Sequence, residues 1–271
     1  MYLSTYQGVA LMNISRIVAV ILRQYFLAMR QMERFFDMLI SPVLMIILWG
    51  FLTKYVQGLQ TDTLAAFLLG GIILWSIFEK VSTDIGINFM VDVWDRNLIN
   101  VLATPITFAE YLTALVLVSL IKLSVVFLVM SVVASIFYGF QITSLGLGLA
   151  LFALNLFIFA ASFGIFNITL VLRFGHSIGP LTWIIPFLVQ PFAAVFYPIA
   201  VLPPLFQNLA YLIPISYVFE GMRGVLKTGQ FDSNFFWISL TLNIIYLMLS
   251  VLFFAFILRR TLKEGRLVKV I

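Results

Sequence analysis

Five ionisable residues stand in or beside strongly apolar stretches of this sequence: Glu79, Lys80, Asp84, Glu110 and Lys122. A charge in lipid is costly, so such residues face protein or water, pair with one another, or relay protons and ions. Lys80 and Asp84 are four residues apart, the spacing of helix-surface partners. Lys122 lies about 14 residues into its apolar stretch, roughly 20 Å along a helix, and cannot easily snorkel. Its expected partner is Glu79 on the neighbouring stretch. The functional alternative, a proton or ion relay, wants a further mid-membrane carboxylate in the later stretches, and none is there.

Other chemistries are thinly supplied. The chain has no cysteine and one histidine, His176, so thiol nucleophiles, disulfides and multi-histidine metal sites are excluded. No G-x-x-x-x-G-K-[ST] stretch offers an ATP phosphate cradle, and no H-E-x-x-H offers a zinc site. His176 reads as an ordinary polar residue in a short turn. The site expectation is therefore no catalytic residue and no metal ligand in this chain.

The elements that hold these charges follow from composition. Of 271 residues, 63% are apolar and 10% charged. Soluble domains carry about 25% charged residues, so a soluble enzyme is excluded, and so is a disordered chain. At about 20 apolar residues per crossing, the content supplies about six spanning helices. The expected fold is an all-α polytopic membrane protein forming one domain over residues 1–271. The net charge of +5 reports orientation rather than nucleic-acid binding. No cleavable signal peptide is expected, the first span directing insertion.

Residues 9–34 are expected to form an interfacial helix. Arg16, Arg23 and Arg30 recur every seven residues and share one stripe, extended by Arg34, opposite Ile14, Ile17, Val18, Ile21 and Tyr25. Such a helix suits the surface of an anionic leaflet; the plainer alternative is a soluble basic tail. Spans are expected at 36–55 (Pro42 in its first turns), 64–85, 108–138, 145–172, 177–197 and 234–258, with a basic tail at 259–271. Arg96, Arg173, the N-terminal stripe and the tail cations fall on one side, against Lys54, Arg223 and Lys227 on the other. The positive-inside rule then places both termini in the cytoplasm.

Three further patterns stand out. In the loop between the second and third spans, Trp94, Leu98, Val101 and Leu102 fit one face of a short helix, with Asp92, Asp95, Arg96, Asn97 and Asn100 around it and Pro105 ending it. That face suits a partner's groove or, equally, the membrane surface. After the fifth span, Leu205–Ile213 and Ile215–Leu226 are each too short to cross and are parted by Pro214, which suggests a re-entrant external hairpin, with Glu220 and Arg223 paired; a loosely amphipathic external loop is the alternative. Gly146, Ala150, Ala153, Ala160, Ala161 and Gly164 in the fourth span allow close helix packing.

The segments "WDRNLINVLATPI" and "FYPIAVLPPLFQNLAYLIPISYVFEGMR" resemble the coupling helix and external re-entrant helices of ABC type-2 exporter permeases. The resemblance covers nearly the whole chain, although Asn97, Leu98, Ile99 and Asn100 stand where that family commonly has Gly-Thr-Leu-Glu. It implies a permease that dimerises, with itself or a related chain, and is driven by two cytoplasmic ATPase subunits that bind ATP and Mg. Trp94, Leu98, Val101 and Leu102 would dock in the ATPase, with Asp95 and Arg96 at the rim. Pro203, Pro204, Pro214, Glu220 and Arg223 would belong to an external gate. "RQMERFFDMLISPVLMIILWGF" is more similar to drug, lipid and nodulation-type export permeases than to polysaccharide exporters. The implied setting is the bacterial inner membrane, with lipid as a neighbour and an amphipathic cargo. The competing classes are a secondary transporter or channel independent of ATP, a membrane-embedded enzyme, and a scaffold subunit.

Overall fold

The computed structural model describes residues 12–30, 32–57, 62–175 and 178–264. Among them the regular elements are helical: α1 Ile14–Arg30, α2 Met32–Gln57, α3 Asp62–Trp94, α4 Leu98–Ala103, α5 Phe108–Tyr138, α6 Leu147–Phe174, α7 Leu181–Val189, α8 Pro204–Leu212, α9 Pro214–Thr228 and α10 Ser233–Lys263, with two short 3-10 turns. Four stretches are long and apolar enough to cross a membrane: Ala66–Trp94, Phe108–Tyr138, Gly148–Phe174 and Ser233–Lys263. Within α2, Leu39–Tyr55 is a shorter apolar stretch. His176 and residues 265–271 lie outside the described residues, as do residues 9–11 of the expected interfacial helix.

Helix ends follow local chemistry. At the start of α5, Thr107 Oγ1 accepts the Glu110 N–H at 3.2 Å while Glu110 Oε2 accepts the Thr107 N–H at 2.8 Å, a reciprocal capping box. Its far end is closed by Gly139, left-handed at φ 66°. At the end of α3, Arg96 takes φ 53° and the Asn97 N–H reaches back to the Asp92 carbonyl at 2.9 Å, a turn that usually employs glycine. Pro105 drives Thr104 into extended backbone and stops α4. Pro204 and Pro214 occupy the first positions of α8 and α9, where a missing N–H costs nothing.

Several boundaries depart from the sequence reading. The expected second span, 64–85, continues to Trp94 because Asn88 finds Asp84 on its own helix and Lys122 on α5, Asp92 finds Tyr111 on α5 and Arg23 on α1, and neither need leave the helix. The polar connection therefore shrinks to residues 95–107, and Trp94 belongs to α3, not to the short helix beyond it. Helix α2 begins at Met32, so Arg34 lies on α2, beyond the end of α1, and Pro42 lies inside the helix rather than in its first turns. The expected fifth span, 177–197, is not one helix. Helix α7 has 9 residues, about 14 Å at 1.5 Å per residue, and gives way to turns from Gln190. Pro180, Pro186 and Pro191 each remove an amide donor there.

Side-chain pairings fix helix directions. Phe78 meets Phe159 and Ile85 faces Gly164, so α3 and α6 run the same way. Asn155 meets Asn243 and Phe166 meets Phe253, so α6 and α10 also run the same way. Tyr111 meets Asp92 and Ser119 meets Asp84, so α5 runs opposite to α3. Thr182 packs at Gly86 and Val195 at Gly71, so residues 182–195 run back along about 22 Å of α3. The chain thus returns past α3 between α6 and α10 without a continuous helix.

Helix α3 is the axis. Residues 68–78 are buried on every side, including Ile73, Leu74 and Phe78 at 0% exposure. Lipid offers no hydrophobic drive for helix association, so close contact through small residues must supply it. Gly164 is such a point, since a Cβ there would stand 2.7 Å from Ile85 Cβ. Gly164→Ala is expected to lower stability by about 1–3 kcal/mol in detergent unfolding. Gly224→Ala, with nothing within 4 Å, should be neutral or up to about 1 kcal/mol stabilising in the same measurement.

Candidate functional site

Helix α1 is strongly two-sided. Ile17, Val20 and Gln24 are buried against the bundle, while Ile14, Val18, Leu22, Tyr25, Phe26 and Met29 are exposed. Between these faces run the arginines. Arg16 lies 3.6 Å from Glu110, at the start of α5, and Arg23 pairs with Asp92, near the end of α3. Both carboxylates are almost sealed, with 1% and 2% of their side chains exposed. Glu110 Oε1 also accepts the Asn13 N–H at 2.8 Å, fixing the start of α1, where the Asn13 side chain accepts the Ser15 N–H. Asp92 further accepts the Tyr111 hydroxyl at 2.5 Å. Two arginines of the stripe expected to meet lipid headgroups, Arg16 and Arg23, meet this chain's own acids. Arg30 remains exposed, and the Arg34 side chain is outside the described set.

Those two acids bracket the short helix. Asp92 precedes α4 and Glu110 follows it, so α1 is stapled across both ends of the 95–107 connection. Leu98 is 0% and Val101 9% exposed, both packed into the core. Two of the four residues of the expected docking face thus anchor the connection to its own bundle. The outward side holds Trp94, Asp95, Arg96, Ile99, Asn100, Thr104 and Pro105. The Leu102 side chain is outside the described set. Trp94 stands 6.5 Å, ring to ring, from Trp183 of α7.

Further along α3 lies a second polar cluster. Lys122 Nζ donates to Asp84 Oδ1 at 2.6 Å, while Asp84 Oδ2 accepts from Ser119 Oγ at 2.6 Å and from Asn88 Nδ2 at 2.9 Å. Lys122 therefore pairs with Asp84, not with Glu79, and Asp84 is taken from Lys80. Lys80 reaches Ser41 of α2 at 3.2 Å and approaches Glu79 at 3.9 Å. Asp84 wins because α3 and α5 run antiparallel and set residue 84 level with residues 119–122. Lys80, Asp84, Asn88 and Asp92 recur every four residues and make one polar ridge on α3.

The opposite end of the bundle carries α8 and α9. Arg223 is buried, lies 3.1 Å from Glu220, and donates to the Ala194 carbonyl at 2.9 Å. Glu220 Oε1 accepts the Ile199 N–H at 2.8 Å. The expected Glu220–Arg223 pair is present, and both partners also bind backbone of the 190–203 segment. Pro203 sets the N-cap of α8.

Sequence reasoning missed Tyr111, Asn88 and Ser119, which complete the two carboxylate sites, and the buried Asn155–Asn243 pair joining α6 to α10. The Thr-x-x-Glu spacing of Thr107 and Glu110 was the available signal for one acid; nothing local marks the others. A double-mutant cycle tests the corrected ion pair. Lys122→Ala and Asp84→Ala should couple by roughly 0.5–3 kcal/mol, whereas Lys122→Ala and Glu79→Ala should add. Equal additivity in both cycles, read from unfolding midpoints, would remove the Asp84–Lys122 pair.

No curated protein matches the chain. The family described as ABC-2 type transporter matches residues 15–227, well over half of the chain and every element from α1 almost to the end of α9. With its long apolar helices, charge-paired interior and short helix wedged between two spans, the chain belongs to the ABC-2 type transporter family and is a multi-pass membrane permease component.

Proposed function

We propose that this chain is the membrane subunit of an ATP-driven exporter, working as two permease copies, identical or related, with two cytoplasmic ATPase subunits. Six crossings are read as α2, α3, α5, α6, the broken passage through α7 and residues 190–203, and α10. Arg16, Arg23, Arg96, Arg173, Arg259, Arg260 and Lys263 then mark the cytoplasmic end, against Lys54, Arg223 and Lys227 outside. The setting is a bacterial inner membrane. The cargo is amphipathic, drug- or lipid-like, moving outward from the cytoplasm or inner leaflet.

The observation that carries this reading is the stapled connection between α3 and α5. A partner pressing on Trp94, Asp95, Arg96, Ile99 and Asn100 meets a loop that cannot yield alone. Leu98 and Val101 hold it to the core, and Asp92 and Glu110 tie both its ends to α1. Displacement therefore passes into α3, the axis of the bundle, and into α1. The broken α7 passage alongside α3 is where a change of angle costs least, because its backbone bonds are already interrupted. The α8–α9 hairpin covers the outer end as a gate. ATP and Mg belong to the partner, and ATP binding shifts the permease only by its unequal affinity for the two states.

Co-expression with an ATPase encoded beside this chain tests the proposal. Co-purification and permease-stimulated ATP hydrolysis are expected, and Ile99→Glu with Asn100→Lys should abolish both without lowering the unfolding midpoint. Persistence of stimulation in that variant would discard the docking surface. Transport that follows a proton gradient and ignores ATP would discard the exporter reading.

A further inference from the structure

Helices α6 and α10 lie side by side, and two ring pairs join them. Phe159 meets Tyr246 at 5.4 Å between centroids, and Phe166 meets Phe253 at 5.9 Å. Both pairs keep one register, which sets Ser162 level with Leu249 and Ser250 between them. Four rings thus hold the helices apart where two intervening residues are small. The result is a cavity of about 410 Å³, within the roughly 300–1,000 Å³ of ordinary small-molecule sites. Phe163 adds to its aromatic wall, and it opens beside Leu249, which is 53% exposed.

The hydroxyls along this cavity are not alike. Ser162 donates to the Ile158 carbonyl at 2.8 Å, and Tyr246 to the Leu212 carbonyl at 3.1 Å. Ser250 is only 8% exposed, yet its hydroxyl has no hydrogen-bond partner among the described residues. Serines inside helices commonly return their proton to the carbonyl four residues back, as Ser82, Ser124 and Ser131 do here. A buried donor left without a bond is costly, so Ser250 wants an acceptor. Depth limits what can supply one. Ser162 and Ser250 lie roughly 18–26 Å from the ends of their helices at 1.5 Å per residue, which is mid-span. Lipid ester carbonyls stay at the headgroup level, and an acyl chain has no acceptor to offer. A lone water prefers about three hydrogen bonds and would find only the two serine hydroxyls. No charged residue lines the cavity, so a charged occupant would lack a counter-ion.

We propose that this cavity binds uncharged, flat aromatic compounds that carry a carbonyl, such as membrane-dissolved aryl ketones and quinones. Ser250 Oγ donates to the carbonyl, and the rings of Phe159, Phe163, Phe166 and Phe253 pack on the flat body. The site is built by α6 and α10 alone, apart from the 95–107 connection and from the polar ridge of α3. It rests on the membrane location of the chain and not on its coupling to an ATPase.

Benzophenone, an aryl ketone that attaches to nearby C–H groups on irradiation, is the test probe, added to the full chain in vesicles of zwitterionic lipid. Saturable labelling is expected on peptides covering 159–166 and 246–253, while exposed Leu128 of α5 should be labelled only in proportion to dose. Fluorenone and fluorene, flat ring systems that differ in the carbonyl, then compete. Fluorenone should compete about fivefold better, the worth of one hydrogen bond. Ser250→Ala should erase that advantage and leave competition by fluorene unchanged, which also shows that the cavity of the variant is intact. Equal competition by the two compounds in the wild-type chain would overturn the proposal. So would labelling of the two peptides that never saturates, or that hexadecane displaces as well as fluorenone does, because ordinary lipid chains would then fill the cavity.

Discussion

Asp92 and Glu110 are acids with almost no access to solvent, and an ionised carboxylate in such a place must have a cation or several donors against it. That requirement organises one whole end of the molecule. Asp92 has Arg23, the Tyr111 hydroxyl and the Asn97 side chain around it; Glu110 has Arg16 and the amides of Thr107 and Asn13. Removing one partner from such a pair typically costs about 3–5 kcal/mol, because the other charge stays behind unpaired. Helices α1, α3 and α5 consequently have one relative arrangement in which all four charges are satisfied, and α4 sits inside it. The connection that faces outward is short, but its position is determined by charges outside it.

The same economy runs up α3. Its polar ridge of Lys80, Asp84, Asn88 and Asp92 meets α2, α5 and α1 in turn, while the rest of its surface is apolar and packed on α6, α7 and α9. One helix thus carries both kinds of adhesion available in a bilayer, close van der Waals contact through small residues and hydrogen bonds between polar side chains. Any movement of α3 must disturb all its neighbours together, which suits an element that carries displacement from one end of a bundle to the other.

Much of this was visible in the residues. Spans over 108–138 and 145–172 agree with α5 and α6 to within about two residues, the ordinary scatter of helix ends. The division into two short helices at Pro214 and the Glu220–Arg223 pair were also legible, because proline positions and i,i+3 spacing are local properties. What failed was partner assignment across distance. Seven-residue spacing states that Arg16 and Arg23 share a stripe; it does not state what the stripe faces, and their acids lie far along the chain. Leu98 and Val101 were correctly read as one face of a short helix, yet periodicity cannot tell a face for a partner from a face for the chain's own core. Asn88 and Asp92 looked like the start of a polar loop because their partners on α5 and α1 could not be seen. Lys122 was assigned to Glu79 because helix register, which sets it beside Asp84, is a property of two packed helices.

At the other end of the bundle, backbone of the segment between α7 and α8 is tethered at four places by side chains of the hairpin. Phe192 and Ala194 offer carbonyls to Ser216 and Arg223, Ile199 gives its amide to Glu220, and Leu202 offers its carbonyl to Gln207. A loop fastened so often to the helices beside it has lost the independence of a loop. Residues 192–202 and helices α8 and α9 are held together as one unit. Such a segment has no partial displacement made by peeling back a few residues; it moves only with the helices that hold it.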